Sequence, residues 1–175
     1  MNLIQKIKEA QICLVLLPKS DYNTLALKIV KKLAKENNNF CYITLNKPLK
    51  TLLTSLKKNK INTDNFFFID ATGSSKSAKQ NFSVPSPSAF AQIGIAFSNA
   101  LKHHIEQSFF DSASTLLLYG EISSAGRLLH SIITASRNAD SKMLYFALSE
   151  DKDTELLKNI YVFVDEIINY AEDKF

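Results

Sequence analysis

The sequence predicts an α/β protein: a mostly parallel sheet with helices on both faces. Two observations carry this. Short apolar runs such as Ile12-Cys13-Leu14-Val15-Leu16-Leu17 are continuous rather than alternating, as in strands buried on both faces. Between them lie stretches of helical periodicity, and the two signals alternate along the chain, which is the pattern of βαβ units. No internal repeat and no composition break divides the 175 residues, so residues 1–175 are expected to form a single domain, long enough to bury a real core.

Residues 3–10 read as a short leading helix or an irregular arm. Ile12–Leu17 is the first strand, and Pro18 ends it. Ser20 or Asp21 is a natural N-cap for a helix over 22–37. Ala26, Ile29, Val30 and Leu33 share its inner face, and Lys28, Lys31, Lys32 and Lys35 share the opposite one. A lysine stripe of this kind is ordinarily a solvated face. Asn37-Asn38-Asn39 closes the helix. Phe40–Thr44 is the second strand, and Pro48 opens a helix to about residue 59 with Leu49, Leu52, Leu53 and Leu56 inward. Phe66–Asp70 is the third strand.

Residues 71–81 are small and polar and predict a mobile surface loop. Phe82–Pro85 suits a short edge strand, where proline is acceptable. A helix is expected from about Ser86 to His104, with Ala89, Ile93, Ala96, Phe97, Ala100 and Leu101 inward. Gln107–Asp111 is a central strand, and Ser112–Gly120 a turn with a short apolar helix or extended piece. Glu121 to about Asn138 is helical, with Ala125, Leu128, Leu129, Ile132 and Ile133 inward. Met143–Ser149 is the next strand and Asp151–Lys158 starts a last helix. The tail 161–168 is expected to continue helical before a possible strand.

Hydrophobic residues make up 46% and charged residues 22%, the balance of a soluble globular protein. No stretch approaches the roughly 18 apolar residues of a membrane span. The first residues lack an apolar segment followed by a small-residue cleavage site. A cytoplasmic location without membrane contact is therefore expected. Cys13 and Cys41 fall inside predicted strands and read as reduced core residues. The net charge of +4 is mild, and Arg127 and Arg137 are the only arginines. Base readout leans on arginine, so any nucleic-acid contact is expected to be weak, through Lys28, Lys31, Lys32 and Lys35.

Chemistry is sparse. A phosphate loop after the first strand needs glycines, whose backbone N–H groups curl around the phosphate. Leu17-Pro18-Lys19-Ser20-Asp21-Tyr22-Asn23-Thr24 has none, and Asp21 adds repulsion. Asp70 and Asp111 both end strands; paired across the sheet edge, two carboxylates can hold a metal or divide acid and base roles, yet strand-end aspartates commonly cap the following helix or turn. His103 and His104 are adjacent and diverge on a helix, and His130 stands apart, so no metal site is expected. Ser112, Ser114 and Thr115 lack a Gly-x-Ser-x-Gly elbow and read as turn formers.

Phe110-Asp111-Ser112-Ala113-Ser114-Thr115-Leu116-Leu117 resembles the Walker B segment of RecA-like ATPases, specifically the KaiC-like branch, where an apolar strand ends in Asp-Ser before a Ser/Thr-Leu-Leu stretch. Tyr42–Pro48, Ser86-Pro87-Ser88 before a long amphipathic helix, and Phe163–Ile168 are also similar to divergent archaeal relatives of KaiC. The resemblance covers most of residues 10–170. It implies a three-layer RecA-like fold of the P-loop NTPase type. The chain departs from that family in two places: Pro18–Thr24 replaces the Walker A loop, and Thr44-Leu45-Asn46 stands where the catalytic glutamate would follow the second strand. The resemblance thus implies a pseudo-ATPase with no catalytic residue, metal or cofactor, acting as a binding or regulatory module through self-association or a protein partner. Leu116-Leu117-Leu118-Tyr119 is a candidate contact patch. One alternative is a small-ligand binder or enzyme using a strand-edge cleft around Lys19, Ser20, Asn46, Asp70, Asp111 and Ser149; another is a nucleic-acid accessory protein using the lysine faces.

Overall fold

The computed structural model describes residues 2–35, 38–77 and 80–171. Its elements run α1 (Leu3–Glu9), β1 (Ile12–Leu17), α2 (Tyr22–Leu33), β2 (Phe40–Thr44), α3 (Leu49–Lys58), β3 (Phe66–Asp70), β4 (Asn81–Ser83), α4 (Phe90–Leu101), β5 (Gln107–Asp111), α5 (Ile122–Asn138), β6 (Lys142–Leu148), α6 (Glu155–Tyr161) and β7 (Glu166–Asn169). The seven strands form one sheet in the order β4-β3-β2-β5-β6-β1-β7, and every pairing is parallel. β1, β2 and β5 are buried along their whole length, which is why their apolar runs do not alternate.

The sheet separates two cores. On one face, α1, α2 and α3 bury Leu3, Ile7, Leu25, Ile29, Leu52 and Leu56 against strand residues that include Val15, Phe40, Tyr42 and Phe109. On the other, α4, α5 and α6 bury Ile93, Phe97, Leu129, Ile132, Leu156 and Ile160 against Leu14, Ile43, Phe110 and Tyr145. Cys13 and Cys41 are free and buried, and burial pushes both thiols far above their ordinary range, so neither is a poised nucleophile.

Several expected boundaries shift. α2 ends at Leu33, with Ala34 as its C-cap; residues 36 and 37 of the expected helix lie outside the described residues. Leu53 is partly exposed rather than inward. The edge strand is Asn81–Ser83, one residue earlier than Phe82 and ending before Pro85. α4 begins at Phe90, after a turn through Ser86 and Ser88. After Asp111 the chain makes a 3-10 helix, Ala113–Leu118. The tail leaves α6 at Tyr161 and becomes β7, paired with β1. Arg137 closes this edge: its guanidinium donates to Asp165 Oδ1 at 2.7 Å and to the Phe163 carbonyl at 3.0 Å, while Asp165 Oδ2 accepts from the Ile12 N–H at 2.8 Å.

The 71–81 segment is more tied down than its composition suggests, apart from residues 78 and 79, which lie outside the described residues. Ser83 Oγ donates to the Ser75 carbonyl, Asn81 donates to the Lys76 carbonyl, and Ser77 Oγ accepts from the Ser83 N–H. Gly73 has φ +73°, and a Cβ there would meet the Pro85 carbonyl oxygen at 2.3 Å. Only glycine fits that approach.

Candidate functional site

The carboxyl ends of β2, β3 and β5 line up in one row, with Thr44 opposite Asp70 on one side and Asp111 on the other. The two aspartates are therefore separated by a whole strand, and each builds its own network.

Asp111 is fully buried. Its Oδ1 accepts from the Tyr22 hydroxyl at 2.6 Å and from Asn46 Nδ2 at 3.1 Å; its Oδ2 accepts from the Tyr42 hydroxyl at 2.7 Å. Tyr42 points to the same face of the sheet as Phe109 and Asp111, and Tyr22 starts the helix that covers that face. Burial, then the charge and hydrogen bonding of Asp111, push both phenols well above their usual range. Both remain protonated donors. Past Asp111 the peptide bond to Ser112 is cis. Ser112 Oγ caps the 3-10 helix by accepting from the Thr115 N–H at 3.3 Å, and Ser114 Oγ accepts from the Leu148 N–H at 2.8 Å, tying this turn to the end of β6.

A cleft of about 380 Å³ opens above this cluster, lined by Lys19, Tyr22, Asn46, Ser112, Thr115 and Asp151 among others. The turn after β1 closes one side. Its Lys19 N–H donates to both carboxylate oxygens of Glu150, at 3.1 and 3.3 Å. That contact, first among several, holds the Glu150 carboxyl below the usual carboxylate range. The position where a phosphate-binding loop would offer a free donor thus presents a carboxylate instead.

Asp70 does different work. It accepts from the Thr72 N–H at 2.9 Å, the Thr72 hydroxyl at 2.6 Å, the Ser74 hydroxyl at 2.9 Å and the Leu49 N–H at 3.4 Å, the last at the start of α3. Burial alone would raise its pKa, but the bonds from Thr72 and Ser74 outweigh it and the carboxyl lies below the usual range. A depressed folded pKa contributes stability that is fully present above the unfolded value near 4 and is lost as the pH falls through the folded value. Asp70→Asn is accordingly expected to cost about 2 kcal/mol at neutral pH and to flatten the acid limb of the stability profile, from about pH 5 downward. Urea unfolding across that range checks it, and an unchanged acid slope would show that Asp70 is not the titrating group.

Of the six residues expected to line a cleft, Lys19, Asn46 and Asp111 come together. Ser20 turns to Asp21 at 2.7 Å, Ser149 to Glu150 at 3.2 Å, and Asp70 belongs to the β3 loop. The sequence reading missed Tyr22, Tyr42 and Glu150. A tyrosine inside an otherwise apolar buried strand was the available signal for Tyr42, because its hydroxyl must find a partner. His103 stacks on Phe67 at 4.3 Å, and His130 packs with its ring tilted against Phe163 at 4.5 Å. Among the described residues no group of three or more His, Cys, Asp or Glu side chains is arranged to hold a metal. No described helix is long and apolar enough to cross a membrane.

A larger cavity, about 850 Å³, lies between α4 and α5 and contains none of these residues. Ile95, 62% exposed, stands on its wall with Gly94, Ser98, Arg127 and Ser131.

Solved structures share this fold. An uncharacterized Pyrococcus horikoshii protein, PH0321, crystallised in complex with an unknown peptide, aligns with a TM-score of 0.70 at 14% identity over 91% of this chain and 77% of its own. The KaiC-like protein PH0186 of the same organism aligns with a TM-score of 0.70 at 13% identity over 91% of this chain and 71% of its own. At such identities the likeness is one of architecture: the all-parallel sheet is that of KaiC-like, RecA-type proteins. No curated protein matches the chain. The profile of a family of unknown function (DUF7504) matches residues 42–170, β2 through β7, and the chain belongs to that family.

Proposed function

We propose that this chain is a non-catalytic, RecA/KaiC-like pseudo-ATPase domain that acts as a binding or regulatory module through self-association or a protein partner. One observation carries the reading. The carboxyl of Asp111, which the sequence resemblance matches to the Walker B aspartate, is already engaged by Tyr22, Tyr42 and Asn46. A magnesium ion would have to displace buried phenol donors to reach it. Two further features agree. The β1–α2 turn has no glycine and its Lys19 N–H serves Glu150, and Asn46, whose amide cannot act as a general base, follows β2 and donates to Asp111.

The binding half of the reading draws on exposed apolar surface. Leu118 is 79% exposed and continues into Tyr119 and Ile122, whereas Leu116 is buried and Leu117 half-buried. Ile95 and the α4–α5 cavity offer a second apolar face, and the peptide found on PH0321 is a precedent in that protein for this fold holding a chain segment.

The test is steady-state phosphate release with Mg-ATP, beside thermal-shift titrations with ATP and ADP. No turnover above background and no nucleotide-dependent shift are expected. Turnover that disappears in Asp111→Asn would return the chain to the ATPases.

A further inference from the structure

Charge is unevenly divided along this chain. The first 65 residues hold twelve lysines, no arginine and four acidic residues; the remaining 110 hold nine basic residues against thirteen acidic ones. The fold turns this into a difference between faces, because α1, α2 and α3 all lie on one side of the sheet and α4, α5 and α6 on the other. All strands are parallel, so α2 and α3 both return antiparallel to them. Their C-terminal ends therefore sit at the same edge, opposite the Asp111 cleft. Lys31 and Lys35 mark the end of α2; Lys57, Lys58 and Lys60 mark the end of α3; Lys50 stands in the first turn of α3, at the other end of that helix. All six are exposed. Among the described residues none of the six has a carboxylate within ion-pair distance. The exposed acids of this face, among those described, are Glu9, Asp21 and Asp64, and Glu106 and Asp140 lie at the same sheet edge beside Leu33.

From this geometry we infer that the α2–α3 face binds the phosphate backbone of double-stranded nucleic acid, without sequence preference. The two lysine rows supply counter-charges on neighbouring parallel helices, as a phosphate-lined surface requires. The occupant follows from what the face lacks. Both arginines, Arg127 and Arg137, are on α5, on the opposite face, so the bidentate guanine contact is missing. No exposed aromatic stands on α1, α2 or α3 to stack an unpaired base. Leu53 is their one large exposed apolar residue among those described, while Ile95, Leu118, Ile122, Val162 and Phe163 belong to other elements. A membrane-docking face would pair its lysines with apolar residues to insert. This inference is independent of the Asp111 cleft.

The experiment is fluorescence anisotropy with a labelled 20-base-pair DNA duplex of mixed sequence, from 50 to 200 mM salt. Binding is expected at 50 mM, with log K falling by about 4 per decade of salt for about four neutralised phosphates. Lys31→Glu/Lys57→Glu should weaken binding about tenfold at 50 mM salt and make the salt slope shallower by about 2. Arg127→Glu/Lys152→Glu, with the same charge change on the other side, should shift it less than about twofold. Lys31→Gln/Lys57→Gln, checked by thermal melting, guards against a misfolded charge reversal and should weaken binding in the same direction. No binding at 50 mM, equal loss in both double variants, or equal or tighter binding to vesicles of phosphatidylcholine and phosphatidylserine would overturn the inference.

Discussion

Asp111→Ala is expected to unfold at a temperature about 12 °C below the parent chain, a loss of about 4 kcal/mol. The cost does not come from the carboxyl itself. Two phenol hydroxyls, each buried with its tyrosine, and the Asn46 amide lose their common acceptor. A buried donor left without a partner costs about 1–3 kcal/mol, more than the bond was worth while made. Asp111→Asn should cost about half as much, since the amide keeps one accepting oxygen and the volume. The sharper test is a cycle. Tyr42→Phe alone should destabilise by about 1 kcal/mol, but in the Asp111→Ala background it should be neutral or stabilising, because it removes a hydroxyl already stranded. Additive losses in urea unfolding would mean that the hydroxyl and the carboxyl are not paired in solution. Turnover is not expected in Tyr22→Phe/Tyr42→Phe either: freeing the carboxyl restores neither glycines to the β1–α2 turn nor the Lys19 N–H that Glu150 occupies.

The architecture was legible because its signals are redundant. Ile12–Leu17, Phe40–Thr44, Phe66–Asp70 and Gln107–Asp111 form strands with the expected bounds, since a continuous apolar run between turn residues has few other uses. The tail was harder. Phe163–Ile168 carries both helix and strand formers, and what decides for β7 is tertiary: the open edge of β1 and the Arg137–Asp165 contact across it. The loop after Asp70 holds contacts that its composition does not announce, for a related reason. Serine and threonine look solvent-bound in a sequence, yet here Thr72 and Ser74 find a buried acceptor two and four residues back. At the cleft, Asp111, Asn46 and Lys19 were visible as polar residues ending strands or opening turns. Tyr22 and Tyr42 were hidden because an aromatic at a buried position reads as core, and only the fold shows that their hydroxyls reach one carboxyl from a helix and a neighbouring strand. Sequence spacing carries no information on such a meeting, 89 and 69 residues apart.

The cluster at Asp111 rests on an aromatic layer, and Phe109→Ala is expected to break it at a cost of about 4 kcal/mol. Phe109 is fully buried at the centre of the sheet. Its ring lies 6.0 Å from Phe40, 5.8 Å from Tyr42, 6.4 Å from Phe66 and 6.4 Å from Phe146. A strand in the middle of a parallel sheet cannot collapse into the vacated space without breaking ladders on both sides, so most of the cavity should persist and the cost should fall in the upper part of the Phe→Ala range. Phe109→Leu, which refills much of the volume, should cost about 1.5 kcal/mol. Because Tyr42 packs on Phe109 and donates to Asp111, the Phe109→Ala and Asp111→Ala losses should be less than additive by about 1 kcal/mol: once the ring is gone, Tyr42 is no longer held where it can reach the carboxyl. Urea unfolding of the two single variants and the double variant decides it. A Phe109→Ala loss below about 2 kcal/mol would mean that the layer repacks freely, and strict additivity would mean that the aromatic layer and the carboxyl network are separate structures rather than one.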